Sequence, residues 1–172
     1  KPRSGDGEAF FELRELAESL DSGAVDEILK RIDVRNFIDH YVTQIFFANT
    51  DWPGNNIAYW RVRQAIVMDE ADESGDGRWR WLTFGTEAGL GLGGDVTHNS
   101  MERLLDVTLA DGAAAPWSTV LFRRLITHTP FRFHFLARFA SLMNREFGSE
   151  KVLEQIGEKQ QEIAALIPAH VD

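Results

Sequence analysis

One apolar stripe constrains this chain more than anything else in it. Val34, Phe37, Ile38, Tyr41, Val42 and Ile45 fall at i, i+3, i+4, i+7, i+8 and i+11, the spacing that lines one face of an α-helix. Asp33 stands at the N-cap position, where a short acid can satisfy free backbone N–H groups. The stripe runs into Asp51-Trp52-Pro53-Gly54-Asn55-Asn56, whose proline and glycine make a rigid, sharp turn. A long buried helix therefore delivers its C-terminal end to a tight polar turn. That turn holds an acid and a carboxamide five positions apart, Asp51 and Asn56. Phosphoryl transfer uses such a pair. A carboxylate orients the attacking hydroxyl and accepts its proton, and an amide oxygen holds a magnesium ion against the phosphates. An Asp and an Asn flanking Pro-Gly are also what an ordinary tight turn contains.

The elements on either side read as α+β, mainly helical. Residues 1–7 read as a flexible lead. Residues 8–20 present Phe10, Leu13, Leu16, Ala17 and Leu20 on one helical face; Asp21-Ser22-Gly23 interrupts it and 24–32 resumes it. Residues 57–68 and 78–84, rich in aromatic and β-branched side chains, predict a β-hairpin around an acidic loop at 69–77. Asp72, Ser74, Asp76 and Gly77 alternate as in a calcium loop, but the closing position is Thr83, so the loop reads as a solvated turn. Arginines 61, 63, 78 and 80 are expected to pair with those acids. A glycine-rich loop occupies 85–94. Helices are expected near 100–108, at 118–127 with Ser118 as cap and Trp117 as a hydrophobic staple, at 130–146 with Pro130 in the first turn, and at 149–167 with Ser149 as cap. Phe135, Leu136, Phe139, Leu142, Met143 and Phe147 are expected to form one packed face, and Val152, Ile156, Ile163, Leu166 and Ile167 another.

Composition removes several function classes. A chain of 172 residues is the size of one domain, with a hydrophobic content of 44% that supports a real core. A net charge of −9 opposes nucleic acid or an anionic membrane surface as partner, and any ATP site needs a local cation against that field. Cysteine is absent, so thiolate metal sites and disulfides are excluded. No apolar run approaches the roughly 18 residues of a membrane span. None of the five histidines has the i, i+4 partner of a zinc helix. The chain starts at Lys1 and not Met, and is expected to begin inside a longer protein.

Several blocks together point further. They are Asn36-Phe37-Ile38-Asp39, the run from Gln44 to Asn56 with Trp60-Arg61, Arg78-Trp79-Arg80-Trp81-Leu82 and the glycines after it, His98-Asn99-Ser100, Trp117-Ser118-Thr119 with Leu121-Phe122-Arg123, and Phe131-Arg132 onward to Asn144 and Phe147. In this order they resemble the CotH kinase family, the spore-coat kinase-like proteins, over most of residues 33–170. The resemblance implies the C-terminal, mainly helical lobe of an atypical protein kinase with a small β-hairpin. It implies transfer of the γ-phosphoryl group of ATP to a protein Ser or Thr with Mg²⁺ or Mn²⁺, Asp51 as base, and Asn56 and Glu87 as metal ligands. Partners would be a protein substrate or coat and surface proteins, and the location a spore coat, a cell surface or the exterior. Two departures stand out. Where the family pattern has Asp-x-Asp, this chain has Gly85-Thr86-Glu87, with Asp95 further on as another candidate acid. The four lysines, at 1, 30, 151 and 159, include none on a strand ahead of Asp51, and Gly89-Leu90-Gly91-Leu92-Gly93-Gly94 lacks the context of a phosphate-covering loop. The expectation is an incomplete or inactive part of a larger kinase-like domain. Its rival is a non-catalytic surface or coat module on the same scaffold; a metal-dependent hydrolase built on Asp51, Glu87 and Asp95 is a third reading.

Overall fold

A computed structural model describes residues 7–21, 23–63, 75–92, 95, 97–108 and 116–166. The elements are α1 (Glu8–Glu18), α2 (Ala24–Arg31), α3 (Val34–Phe46), β1 (Ala58–Trp60), β2 (Arg80–Leu82), α4 (Ser100–Leu105), α5 (Pro116–Ile126), α6 (Thr129–Arg145) and α7 (Ser149–Leu166). The architecture is mainly helical α+β. Two compact units divide the chain at residues 135 and 136, within α6. Residues 1–6 of the expected lead at 1–7, residues 64–68 of the expected first hairpin strand and most of the acidic hairpin loop lie outside the described residues.

Helix α3 forms as its sequence dictates. The Asn36 N–H donates to Asp33 Oδ1 at 3.0 Å, closing the N-cap. Phe37, Ile38, Tyr41 and Val42 are buried, with Val34 and Ile45 half-buried at the ends of the stripe. The Phe37 ring meets Trp81 at 4.7 Å and Phe131 at 6.1 Å, and Tyr41 stacks on Phe122 at 4.6 Å. Each such pair adds about 0.5–1.5 kcal/mol beyond the burial of its area. The rings thereby fasten α3 to β2, α5 and the first turn of α6.

The hairpin is antiparallel, with Ala58 opposite Leu82 and Trp60 opposite Arg80. Its second strand is gripped by polar groups of the α2–α3 junction and of α3. Trp79 N–H donates to the Arg31 carbonyl at 2.8 Å, and Asp33 N–H donates to the Trp79 carbonyl at 2.9 Å. One residue pair further along, the Asn36 amide mimics a strand edge: Trp81 N–H donates to its Oδ1 at 2.6 Å and its Nδ2 donates to the Trp81 carbonyl at 3.1 Å. His40 Nδ1 then meets Thr83 Oγ1 at 3.0 Å. Positions 79, 81 and 83 therefore lie beside 33, 36 and 40, and the chain leaves β2 running toward the C-terminal end of α3.

Several expectations need correcting. Helix α5 begins at Pro116, whose fixed φ suits a first helical position, so Ser118 is a buried interior residue and not a cap. Trp117 lies inside the same helix, 45% exposed, and is no staple. On α6, Phe135 is buried but Leu136 is 55% exposed, because one residue is about 100° of helical rotation. Likewise Ile156, Ile163 and Leu166 of α7 are exposed: periodicity defines a face without supplying what covers it. The arginine pairing holds for Arg78 and Arg80, which bind Asp76 at 2.5 and 2.9 Å and clamp it between them.

Candidate active site

The end of α3 sets up everything that follows. Ala48 N–H donates to the Ile45 carbonyl at 3.0 Å and Asn49 N–H to the Gln44 carbonyl at 3.3 Å, the paired bonds that close a helix C-terminus around a left-handed residue. That residue is Ala48, at φ +49°. The reversal aims Asn49 inward, where it is 2% exposed. Its Nδ2 donates to Gln44 Oε1 at 2.8 Å and to the Gly85 carbonyl at 2.9 Å, while its Oδ1 accepts from Asp51 N–H at 3.1 Å. Asn49 is thus the pin of the loop, a role the sequence reading did not assign. Its one sequence signal is the i, i+2 spacing to Asp51, the mark of an Asx-turn.

Asp51 and Asn56 meet directly. Asn56 Nδ2 donates to Asp51 Oδ2 at 2.8 Å, and Asn55 Nδ2 donates to Asp51 Oδ1 at 2.9 Å. Asn56 Nδ2 also donates to the Gly85 carbonyl at 3.2 Å. Both neighbours of that nitrogen are acceptors, which fixes the amide's orientation chemically and turns Oδ1 away from them. Asn56 holds φ +49°, a left-handed conformation that asparagine tolerates better than most residues. The Trp52–Pro53 peptide between them is cis, and Trp52 is 2% exposed, its indole edge-on to Tyr41 at 4.9 Å and His40 at 5.6 Å.

Gly85 serves by lacking a side chain. It sits at φ +63°, and a Cβ there would stand 2.6 Å from Asn56 Cγ and Nδ2. The bare backbone lets its carbonyl lie between the amides of Asn49 and Asn56. The following turn is tied to α3: Leu90 N–H donates to the Phe47 carbonyl at 2.6 Å and Thr50 N–H to the Ala88 carbonyl at 3.3 Å. From the other side Arg103 of α4 donates to the Thr50 carbonyl at 2.7 Å. Asn99 caps that helix, its Oδ1 accepting from Glu102 N–H at 3.2 Å.

Glu87 lies on the same turn, exposed, next in sequence to the Ala88–Thr50 contact, and no described residue bonds its carboxylate. Asp95 is exposed and spent locally: Thr97 N–H and Oγ1 donate to its Oδ1 at 2.6 and 2.8 Å, which holds its carboxyl below the usual range. Among the described residues no three acids or histidines gather where they could hold one metal ion. The donor set therefore suits a divalent ion in part. Asn56 Oδ1 is a fixed oxygen with no described donor, and Glu87 is an open carboxylate. Position 85 offers no side-chain ligand and no room for one.

A mainly helical domain with an acid–amide loop pinned between a buried helix and a strand is a class that many proteins fill. The particular family is narrower: the CotH kinase protein family model matches residues 3–172, and the chain belongs to that family. No curated protein and no solved structure matches it. Among the described residues no helix is long and apolar enough to cross a membrane.

Proposed function

We propose that this chain is a kinase-like domain of the CotH family whose loop 49–56 is its phosphotransfer site, occupying the place that the C-terminal lobe fills in a kinase. The observation that carries this reading is the direct bond from Asn56 to Asp51, with the amide oxygen left over. Asp51 takes one amide bond on each oxygen, which holds the carboxylate in one orientation and leaves lone pairs to accept the proton of a protein Ser or Thr hydroxyl. A magnesium or manganese ion, when bound with ATP, would neutralise charge on the transferred phosphoryl group. Asn56 and Glu87 are the residues that would hold it. Arg103, bonded to the Thr50 carbonyl and unpaired with any described acid, offsets part of the net negative field beside this loop.

A second reading has its own observation. The closed contact of Gly85 with Asn56 favours a scaffold that keeps the loop's packing and has given up one metal acid. Thermal unfolding with Mn²⁺, with ATP, and with both separates the two. The kinase-like reading expects stabilisation that requires metal and nucleotide together and is lost in Asn56→Ala, and labelled phosphate transfer to a protein substrate that is lost in Asp51→Asn. If the unsubstituted protein shows no shift and no transfer, the phosphotransfer reading fails and the scaffold reading stands.

A further inference from the structure

At the far end of the hairpin from Asp51, a cavity of about 320 Å³ is lined by Ala9 and Glu12 of α1, Lys30 and Arg31 of α2, Arg61 after β1, and Asp76, Gly77, Arg78 and Trp79 before β2. Its volume is at the lower end of the roughly 300–1,000 Å³ of small-molecule sites. Among the described residues the lining carries four cationic side chains and two anionic ones, in a chain whose net charge is −9. Local pairs account for most of these groups. Glu27 holds Lys30 at 2.7 Å, Glu12 meets Arg31 at 3.4 Å, and Asp76 is shared between Arg78 and Arg80. Lys30 and Arg31 also oppose the negative C-terminal end of the α2 dipole.

Arg61 has no such duty. It makes no ion pair with a described residue, and its guanidinium lies over the Trp79 ring, 5.3 Å from the centroid. A guanidinium held against an indole keeps N–H donors for further bonds, and those donors suit a phosphate or carboxylate oxygen pair. A phosphate dianion offers the cationic side chains on this wall more charge and more acceptor oxygens than a single carboxylate does.

We propose that this cavity binds a compact phosphate dianion, separate from the Asp51 loop, with Arg61 as its central contact and Arg31 as the second. The test is titration of the intact chain with inorganic phosphate and, separately, with a short phosphoserine peptide, against sodium chloride of matched ionic strength. The readout is the Trp79 indole N–H resonance. Saturable shifts of Trp79 that Trp52 does not share, weakened at least ten-fold in Arg61→Gln and in Arg31→Gln and unchanged in Asp51→Asn, support the site. A tighter response to the peptide assigns the dianion to a phosphorylated side chain; an equal response assigns it to free phosphate. The proposal is overturned if chloride reproduces the shifts, if neither arginine substitution weakens them, or if Asp51→Asn abolishes them. Arg31 is substantially exposed, so its substitution remains informative should the Arg61 variant fold poorly.

Discussion

Placing a side chain at Gly85 tests the site most directly. A β-carbon there would be 2.6 Å from the Asn56 amide and would sit on a residue at φ +63°. The left-handed conformation costs an L-residue about 1–2 kcal/mol. Displacing Asn56 breaks its bond to the Asp51 carboxylate, about 1.5–3 kcal/mol, and its bond to the Gly85 carbonyl, about 0.5–1.5 kcal/mol. Against this, replacing glycine restricts the unfolded chain and returns about 0.4–1 kcal/mol. Gly85→Ala is therefore expected to destabilise by about 2–6 kcal/mol, a large share of a typical domain's total of about 5–15 kcal/mol. Gly157→Ala is the control: this glycine is inside α7, a β-carbon there would meet nothing within 4 Å, and the change should stabilise by up to about 1 kcal/mol. Urea unfolding followed by tryptophan fluorescence measures both. Gly85→Asp carries the same β-carbon and should lose stability alike without gaining affinity for Mn²⁺, although it places a carboxylate beside Asn56. If Gly85→Ala unfolds within about 0.5 kcal/mol of the unsubstituted chain, the packed contact between residues 85 and 56 is not what closes this loop.

Two further outcomes follow from groups beside the loop. His40 is buried, and loss of solvation pushes its pKa from 6.5 down to about 4. Its lowered value means the unfolded chain takes up a proton first, so the contribution is complete above pH 6.5 and is lost as pH falls from there toward 4, by about 3 kcal/mol in all. Unfolding free energies at about pH 7 and about pH 4.5 should differ by less in His40→Gln than in the parent, and equal differences would remove His40 from the account. Ala48→Gly relieves a left-handed alanine at the end of α3 and should raise stability by up to about 1 kcal/mol in calorimetry, where loss of stability would count against the reversal described at that residue.

What could be read in advance was whatever depends on neighbours in sequence. Asp33 caps α3 through a residue three positions on, and the Phe37-to-Val42 stripe needs only the helical period. The turn at 51–56 announced itself by Pro53 and Gly54, and its family resemblance is matched by the CotH family model over nearly the whole chain. The hairpin was legible as to place, with Ala58–Trp60 paired to Arg80–Leu82.

The groups that make the loop a site were hidden for a different reason. Asn49 and Gly85 are 36 positions apart, Asn36 and Trp81 are 45, and Thr50 and Arg103 are 53. Each contact joins a side chain to a backbone group, and every residue but proline offers the same backbone donor and acceptor. No choice of residue at position 81 or 50 records that its carbonyl is used. Glycine 85 is the instructive case. As a sequence change it reads as a deleted metal ligand, whereas the fold gives it a second duty: a carbonyl shared by the amides of Asn49 and Asn56, possible only without a β-carbon. Absence of an acid and closure of the loop thus coincide at one residue. An acid cannot be placed there without opening the contact that holds Asn56 against Asp51.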